Sequence, residues 1–152
     1  MILFFDTSAL VKLFSNEEGS EKAKTLITDY SNDVYVSELA LIELNSAVCR
    51  KFRNNEIPKN KLKEVQKAIE KQFELFTIVP LGPNVVKEAI SLIKEFGIEH
   101  GLRTLDAMHV ASWKFVAESN WQFVSSDINQ LAVVGKNELQ YNKDLAMQYS
   151  FV

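Results

Sequence analysis

The sequence predicts an α/β protein, a three-layer α/β/α sandwich with helices on both faces of a central parallel sheet. Three observations predict it. Short apolar runs of strand length alternate along the chain with longer stretches whose apolar residues recur at helical spacing. The first of these runs, Ile2-Leu3-Phe4-Phe5, is apolar on both faces, as a strand in the middle of a parallel sheet must be. Two of the runs are followed within two residues by an acid, Asp6 and Asp127, and open parallel sheets gather ligands beyond the carboxyl ends of their strands.

The elements follow in order. Residues 2–5 form the first strand, ended by Asp6-Thr7-Ser8. Residues 9–14 and 20–30 read as helices, the second with Ala23, Leu26, Ile27 and Tyr30 as its apolar stripe. Residues 33–37 are a second strand, and Ser37 or Glu38 leads into a helix that carries Leu39, Ile42, Ala47 and Phe52. Pro58 is expected to open the next helix, where a first-turn proline is tolerated. Leu62, Val65, Ile69, Phe73 and Phe76 supply its spacing. Residues 77–80 are a third strand. Asn84 is a candidate N-cap for a helix bearing Val85, Ala89, Ile93 and Phe96, stopped by Gly97. Thr104 is expected to cap a helix over residues 105–119, and residues 121–125 are a fourth strand.

A length of 152 residues, 47% of them hydrophobic, with 5 Gly and 3 Pro, fits one domain over residues 1–152 without repeat or linker. The single Cys49 excludes an internal disulfide, and no Cys/His cluster suits zinc. The N-terminus has neither a basic n-region nor an apolar stretch of spanning length, so a cytoplasmic protein away from the membrane is expected. A net charge of -3 argues against a basic coat for nucleic acid, though not against a nuclease whose acids hold a cation. Arg50, Lys51 and Arg53, or Lys59, Lys61 and Lys63, are either solvated helix faces or contacts to phosphate.

Four acids stand out, each with an ordinary explanation. Asp6 directly follows an apolar strand, where a charge needs a cation or donors, but it also suits a helix N-cap. Glu43 interrupts an apolar helical segment between Ile42 and Leu44. Asp106 fits the first turn of its helix electrostatically, and Asp127 can cap the helix after it. Taken as a set, acids delivered to one end of a sheet without Cys or His make a hard, oxygen-rich site suited to Mg²⁺ or Mn²⁺. Such an ion activates water for attack on phosphorus.

The pieces Phe-Phe-Asp-Thr-Ser-Ala-Leu, Ser-Glu-Leu-Ala-Leu-Ile-Glu-Leu, Leu-Arg-Thr-Leu-Asp-Ala-Met-His-Val-Ala and Phe-Val-Ser-Ser-Asp occur in that order. With them the chain resembles the PIN-domain superfamily, most closely the VapC-type toxins of toxin–antitoxin pairs. The resemblance implies a metal-dependent endoribonuclease that hydrolyses RNA phosphodiester bonds, with Asp6, Glu43, Asp106 and Asp127 as catalytic, metal-holding acids. It implies Ser8 and Ser125 as supporting hydroxyls, a homodimer and a neutralising antitoxin. Arg103 is a candidate contact to substrate phosphate. Position 129 is Asn where many relatives carry a further Asp, and the C-terminal segment 134–152 diverges from the family's usual ending.

Other readings are weaker. A haloacid-dehalogenase-type phosphohydrolase needs a second acid at position 8, which is Ser, and a receiver domain needs an acid and a lysine after later strands. The remaining alternative is a catalytically inactive PIN-fold module that binds RNA or protein. His109 is expected to pack or hydrogen-bond in preference to holding metal. Trp113 and Trp121 are expected in the core in preference to stacking on bases.

Overall fold

The computed structural model describes residues 1–14 and 18–136. Expectations for the C-terminal segment beyond residue 136 fall outside these. Four strands, β1 (Ile2–Phe5), β2 (Asp33–Ser37), β3 (Thr77–Val79) and β4 (Trp121–Val124), form one sheet in the order β3-β2-β1-β4. Every pairing in it is parallel.

β1 lies between two neighbours, which explains its uninterrupted apolar run. Leu3 and Phe5 point into one core with Leu10, Val36, Ala40, Leu44, Ile69 and Phe73. Phe4 points into the other, stacked on Phe123 at 5.8 Å, with Trp113, Val110 and Leu92. The first core is roofed by α1 (Thr7–Val11), α3 (Glu38–Arg53) and α4 (Leu62–Phe73), the second by α5 (Pro83–Phe96), α6 (Thr104–Val116) and α7 (Ile128–Lys136). α2 (Ser20–Thr28) precedes β2. The result is the expected three-layer arrangement. Each buried Leu or Phe contributes roughly 1.5–3 kcal/mol relative to exposure, so the two cores dominate what holds the sheet in place. No described helix is long and apolar enough to cross a membrane.

Several helix boundaries differ from expectation, three of the starts because the N-cap residue makes no side-chain cap. Pro58 precedes a 3-10 turn over Lys59–Lys61, and α4 begins only at Leu62. α5 is capped by Gly82 with Pro83 in its first turn, so Asn84 lies inside the helix. Arg103, not Thr104, occupies the N-cap position of α6, which ends at Val116 rather than residue 119. The first expected helix is split, α1 giving way to a 3-10 turn at Lys12–Phe14. Ser37 does cap α3, its hydroxyl oxygen accepting from the Leu39 amide at 3.3 Å.

The chain order creates a crevice. From β1 the chain moves outward through β2 to β3, then α5 and α6 carry it back to place β4 on the other side of β1. Connections therefore leave β1 and β4 on opposite faces, which opens a gap at their carboxyl ends. The Asp6 amide continues the ladder by donating to the Val124 carbonyl at 3.0 Å, so residue 6 is seated beside residue 125.

Candidate active site

Asp6 is fully buried at the floor of this crevice. Three donors converge on it. The Ala9 amide and the Ser8 hydroxyl reach Oδ1 at 2.9 and 2.8 Å, and the Ser125 hydroxyl reaches Oδ2 at 2.8 Å. Asp6 is thus the N-cap of α1 and an acid of the crevice at once. Burial pushes its carboxyl above the ordinary range, against the pull of His109's charge and the three donors. The two serines are themselves fixed: Ser8 Oγ accepts from the Ser126 amide and Ser125 Oγ from the Asp127 amide, both at 2.9 Å. Strand β4 and helix α1 are therefore cross-tied through one carboxylate.

Asp106 and Asp127 occupy the β4 side. Asp127 Oδ1 accepts from the amides of Asn129 and Gln130 at 2.8 and 3.1 Å, capping α7. Asp106, in the first turn of α6, accepts the Arg103 amide at 3.3 Å and the Gln130 side-chain amide at 3.2 Å. Burial first, and then the charge of Asp127, push the Asp106 carboxyl up. The two acids are close enough to repel.

Glu43 arrives from α3. Its Oε2 accepts from the Thr7 hydroxyl and from His109 Nε2, the latter at 2.7 Å. Burial alone would raise this carboxyl; the His109 and Thr7 hydrogen bonds and the His109 charge outweigh it, leaving the group below its ordinary value. A shallow cleft of about 340 Å³ is lined by Glu43, Arg103, Thr104, Leu105 and Asp106. Arg103 stands on its rim, 79% exposed, with Nε 3.6 Å from Asp106 Oδ2.

The donor set suits a hard divalent cation: carboxylate oxygens without thiols, and two acids whose mutual repulsion a cation would relieve. Among the described residues, however, no three His, Cys, Asp or Glu side chains are gathered around one ion position. Asp106 and Asp127 pair on one side, Asp6 lies on the floor and Glu43 is turned towards His109.

Gln130 was not visible as a site residue in the sequence. It is 3% exposed and braces both acids, Asp127 through its backbone and Asp106 through its side chain. Thr7 was likewise missed, although its place directly after Asp6 was a usable signal. The basic residues took the other course. Arg53 lies ten residues beyond Glu43 along α3, about 15 Å at the helical rise, so Arg50, Lys51 and Arg53 crowd the end of α3 away from the crevice. Trp113 and Trp121 are core residues, 1% and 6% exposed.

Comparisons with known proteins bear on the fold and the family. The chain is 32% identical over 111 residues, 73% of its length and 74% of theirs, to Ribonuclease VapC45 and Ribonuclease VapC49 of two Mycobacterium tuberculosis strains, CDC 1551 / Oshkosh and ATCC 25618 / H37Rv respectively. Among solved structures, its fold is similar to FitAcB from Neisseria gonorrhoeae, with a TM-score of 0.67 at 19% identity over 93% of this chain and 96% of that one. It is also similar to PAE2754 from Pyrobaculum aerophilum, with a TM-score of 0.64 at 17% identity over 97% of each chain. The family profile described as PIN domain matches residues 3–136, a span that runs from the first residue of the central strand's core to the end of α7, and the chain belongs to the PIN-domain family.

Proposed function

We propose that the chain is a metal-dependent endoribonuclease that hydrolyses RNA phosphodiester bonds, and that it is the toxin of a VapBC-type toxin–antitoxin pair in the cytoplasm. The observation that carries this reading is the repelling pair Asp106 and Asp127 beside buried Asp6, in a chain similar to two proteins named ribonuclease. The whole chain acts as one domain in this reading.

Mg²⁺ or Mn²⁺ would be held by Asp6, Asp106 and Asp127, with Glu43 completing the set. When bound, the ion offsets charge on a phosphodiester and lowers the pKa of water. The protein's own residues do the rest. Ser8, Ser125 and the Ala9 amide fix the plane of the Asp6 carboxylate, and Gln130 fixes Asp106 against Asp127. The exposed guanidinium of Arg103, at the mouth of the cleft, is placed to take a phosphate bidentately.

An antitoxin partner has support of a different kind. A groove of about 240 Å³ between α1, α3 and α4 is lined by Val11, Phe14, Ala47, Ile57 and Val65, with Lys51 and Glu56 at its edge. That shape and lining suit the apolar face of an amphipathic helix. Similar solved structures include VapBC2 from Rickettsia felis bound to a DNA fragment from their promoter. For the homodimer, the support is α5, which leaves Val86 and Ile90 exposed four residues apart on one side.

A second reading is favoured by one observation. Without three acids around one position, and with Asn at 129, the chain fits a PIN-fold module that binds RNA or protein without cutting. Cleavage of a labelled RNA panel with Mg²⁺, Mn²⁺ or EDTA, beside Asp6→Asn, separates the two. EDTA-sensitive cutting lost by at least about 100-fold in the variant supports the enzyme. Equal cutting by the variant, or none from folded wild-type protein with either ion, overturns it.

A further inference from the structure

We propose that His109 and Thr7 form a clamp that presents Glu43 to the ion through its Oε1, His109 being a positioning residue and not an ion ligand. The inference rests on the metal-dependent reading above and deepens it.

The clamp is a three-way contact. His109 Nε2 lies 2.7 Å from Glu43 Oε2 and 3.0 Å from Thr7 Oγ1, and the Thr7 hydroxyl donates to the same Oε2. A carboxylate only accepts, so the imidazole proton shared with Glu43 sits on Nε2. A ring nitrogen carrying its proton has no lone pair for a cation. The other nitrogen, Nδ1, is buried without a hydrogen-bond partner, and the ring as a whole is 2% exposed. Ligation by His109 would require both breaking the Glu43 contact and turning the ring out of the core.

Both donors fall on Oε2, while Oε1 makes no hydrogen bond with the described residues. One oxygen is therefore occupied in orientation and the other is left for an electrophile. The same division is common where an outer group fixes a ligating carboxylate.

The covalent neighbours of the clamp give it its purpose. Thr7 directly follows Asp6 at the end of β1, and His109 lies one helical step beyond Asp106 on α6. Each donor to Glu43 is thus rigidly attached to the segment of another acid. α3 carries Glu43 from β2, on the opposite side of β1 from β4. The clamp refers that distant carboxylate to the other two. A second buried tie runs parallel to it, the Ser37 hydroxyl donating to Ser112 Oγ at 3.1 Å and Ser112 in turn to the Met108 carbonyl at 2.8 Å. This keeps the start of α3 and the middle of α6 at fixed spacing.

The test is Mn²⁺ binding by titration calorimetry to metal-free protein, for wild type, His109→Leu, His109→Gln, Glu43→Gln and the double variant H109L/E43Q. His109→Leu should weaken the Kd by about 10-fold or more. His109→Gln, which retains an N–H donor of similar reach, should recover most of that loss. In the Glu43→Gln background His109→Leu should add nothing. Thr7→Val, which removes only a hydroxyl, should move the Kd in the same direction and serves if the leucine variant does not fold. Wild-type affinity in both His109→Leu and Thr7→Val, equal loss in the glutamine variant, or additive losses in the double variant would overturn the clamp alone. Absence of any Mn²⁺ binding by the wild type would overturn the metal-dependent reading and the clamp with it.

Discussion

The buried side-chain amide of Gln130 donates to Asp106 Oδ1 at 3.2 Å, while its backbone amide donates to Asp127 Oδ1 at 3.1 Å. One residue holds two like charges at fixed spacing. Gln130→Leu keeps the volume and removes the side-chain donor. It also removes a buried, unpartnered Oε1, so two changes oppose each other. A donor to a charged group is worth more than a neutral orphan costs, and a net loss of about 1 kcal/mol is expected. Urea unfolding in EDTA at pH 7 measures it, and in an Asp106→Asn background the loss should shrink. A Gln130→Leu protein more stable than wild type would refute the brace.

The raised carboxyl of Asp106 gives a prediction with a defined sign. Its folded pKa lies above the ordinary aspartate value of 3.8, so the folded state binds a proton more tightly than the unfolded state. The stability it contributes is full below about 3.8 and is lost as pH rises through the raised value. At neutral pH and without metal, the charged group is a liability. Asp106→Asn should therefore raise the Tm in EDTA at pH 7, with roughly 3 °C for each kcal/mol relieved in a chain of this size. The gap should close on acidification towards pH 4. Mn²⁺ should stabilise the wild type and not the variant. A lower Tm for Asp106→Asn at pH 7 in EDTA would show that the carboxylate is already compensated.

Ser125 offers the complementary case. Ser125→Ala strips the Asp6 carboxylate of one of its two hydroxyl donors and leaves the Asp127 amide without its acceptor. Loss of a hydrogen bond to a buried charge costs about 1.5–3 kcal/mol, and RNA cleavage should fall with it. Ser8→Ala should act in the same direction, and the double variant should be non-additive because both hydroxyls serve one carboxylate. Chemical denaturation of the four proteins is the measurement. Simple additivity would mean that the serines act separately.

In the groove between α1, α3 and α4, Ala47 is a partly buried small residue remote from the acids. Ala47→Arg places a long charged chain across an apolar seat. Binding of an antitoxin co-expressed from the neighbouring reading frame should weaken by at least about 10-fold, or 1.4 kcal/mol, while RNA cleavage by the free protein is unchanged. Undiminished complex formation on size-exclusion chromatography would move the partner to another face.

Much of this architecture is legible in the sequence because burial on both faces leaves a run such as Ile2-Leu3-Phe4-Phe5 no alternative. The acids after β1 and β4 follow from the same logic. What the sequence hides is reciprocity. Asp6 as helix cap and Asp6 as site acid look like competing explanations, yet one carboxylate does both, and Asp106 and Asp127 behave alike. Gln130 is invisible because its partner, Asp106, lies 24 residues away. Helix starts at Gly82 and Arg103 are missed because neither N-cap residue carries a side-chain acceptor. The role of His109 as a hydrogen-bonding group is readable in kind, but its partner Glu43 lies 66 residues away and only folding identifies it.

The position of β4 in the sheet sets the order in which the crevice is completed. β1 is made first, but its second neighbour and the residues that complete Asp6 and Asp106, namely Val124, Ser125 and Gln130, are among the last described residues to be synthesised. Until residues 125–130 have joined the sheet, Asp6 lacks Ser125 and Asp106 lacks its brace. The crevice is therefore completed late, however early β1 is made.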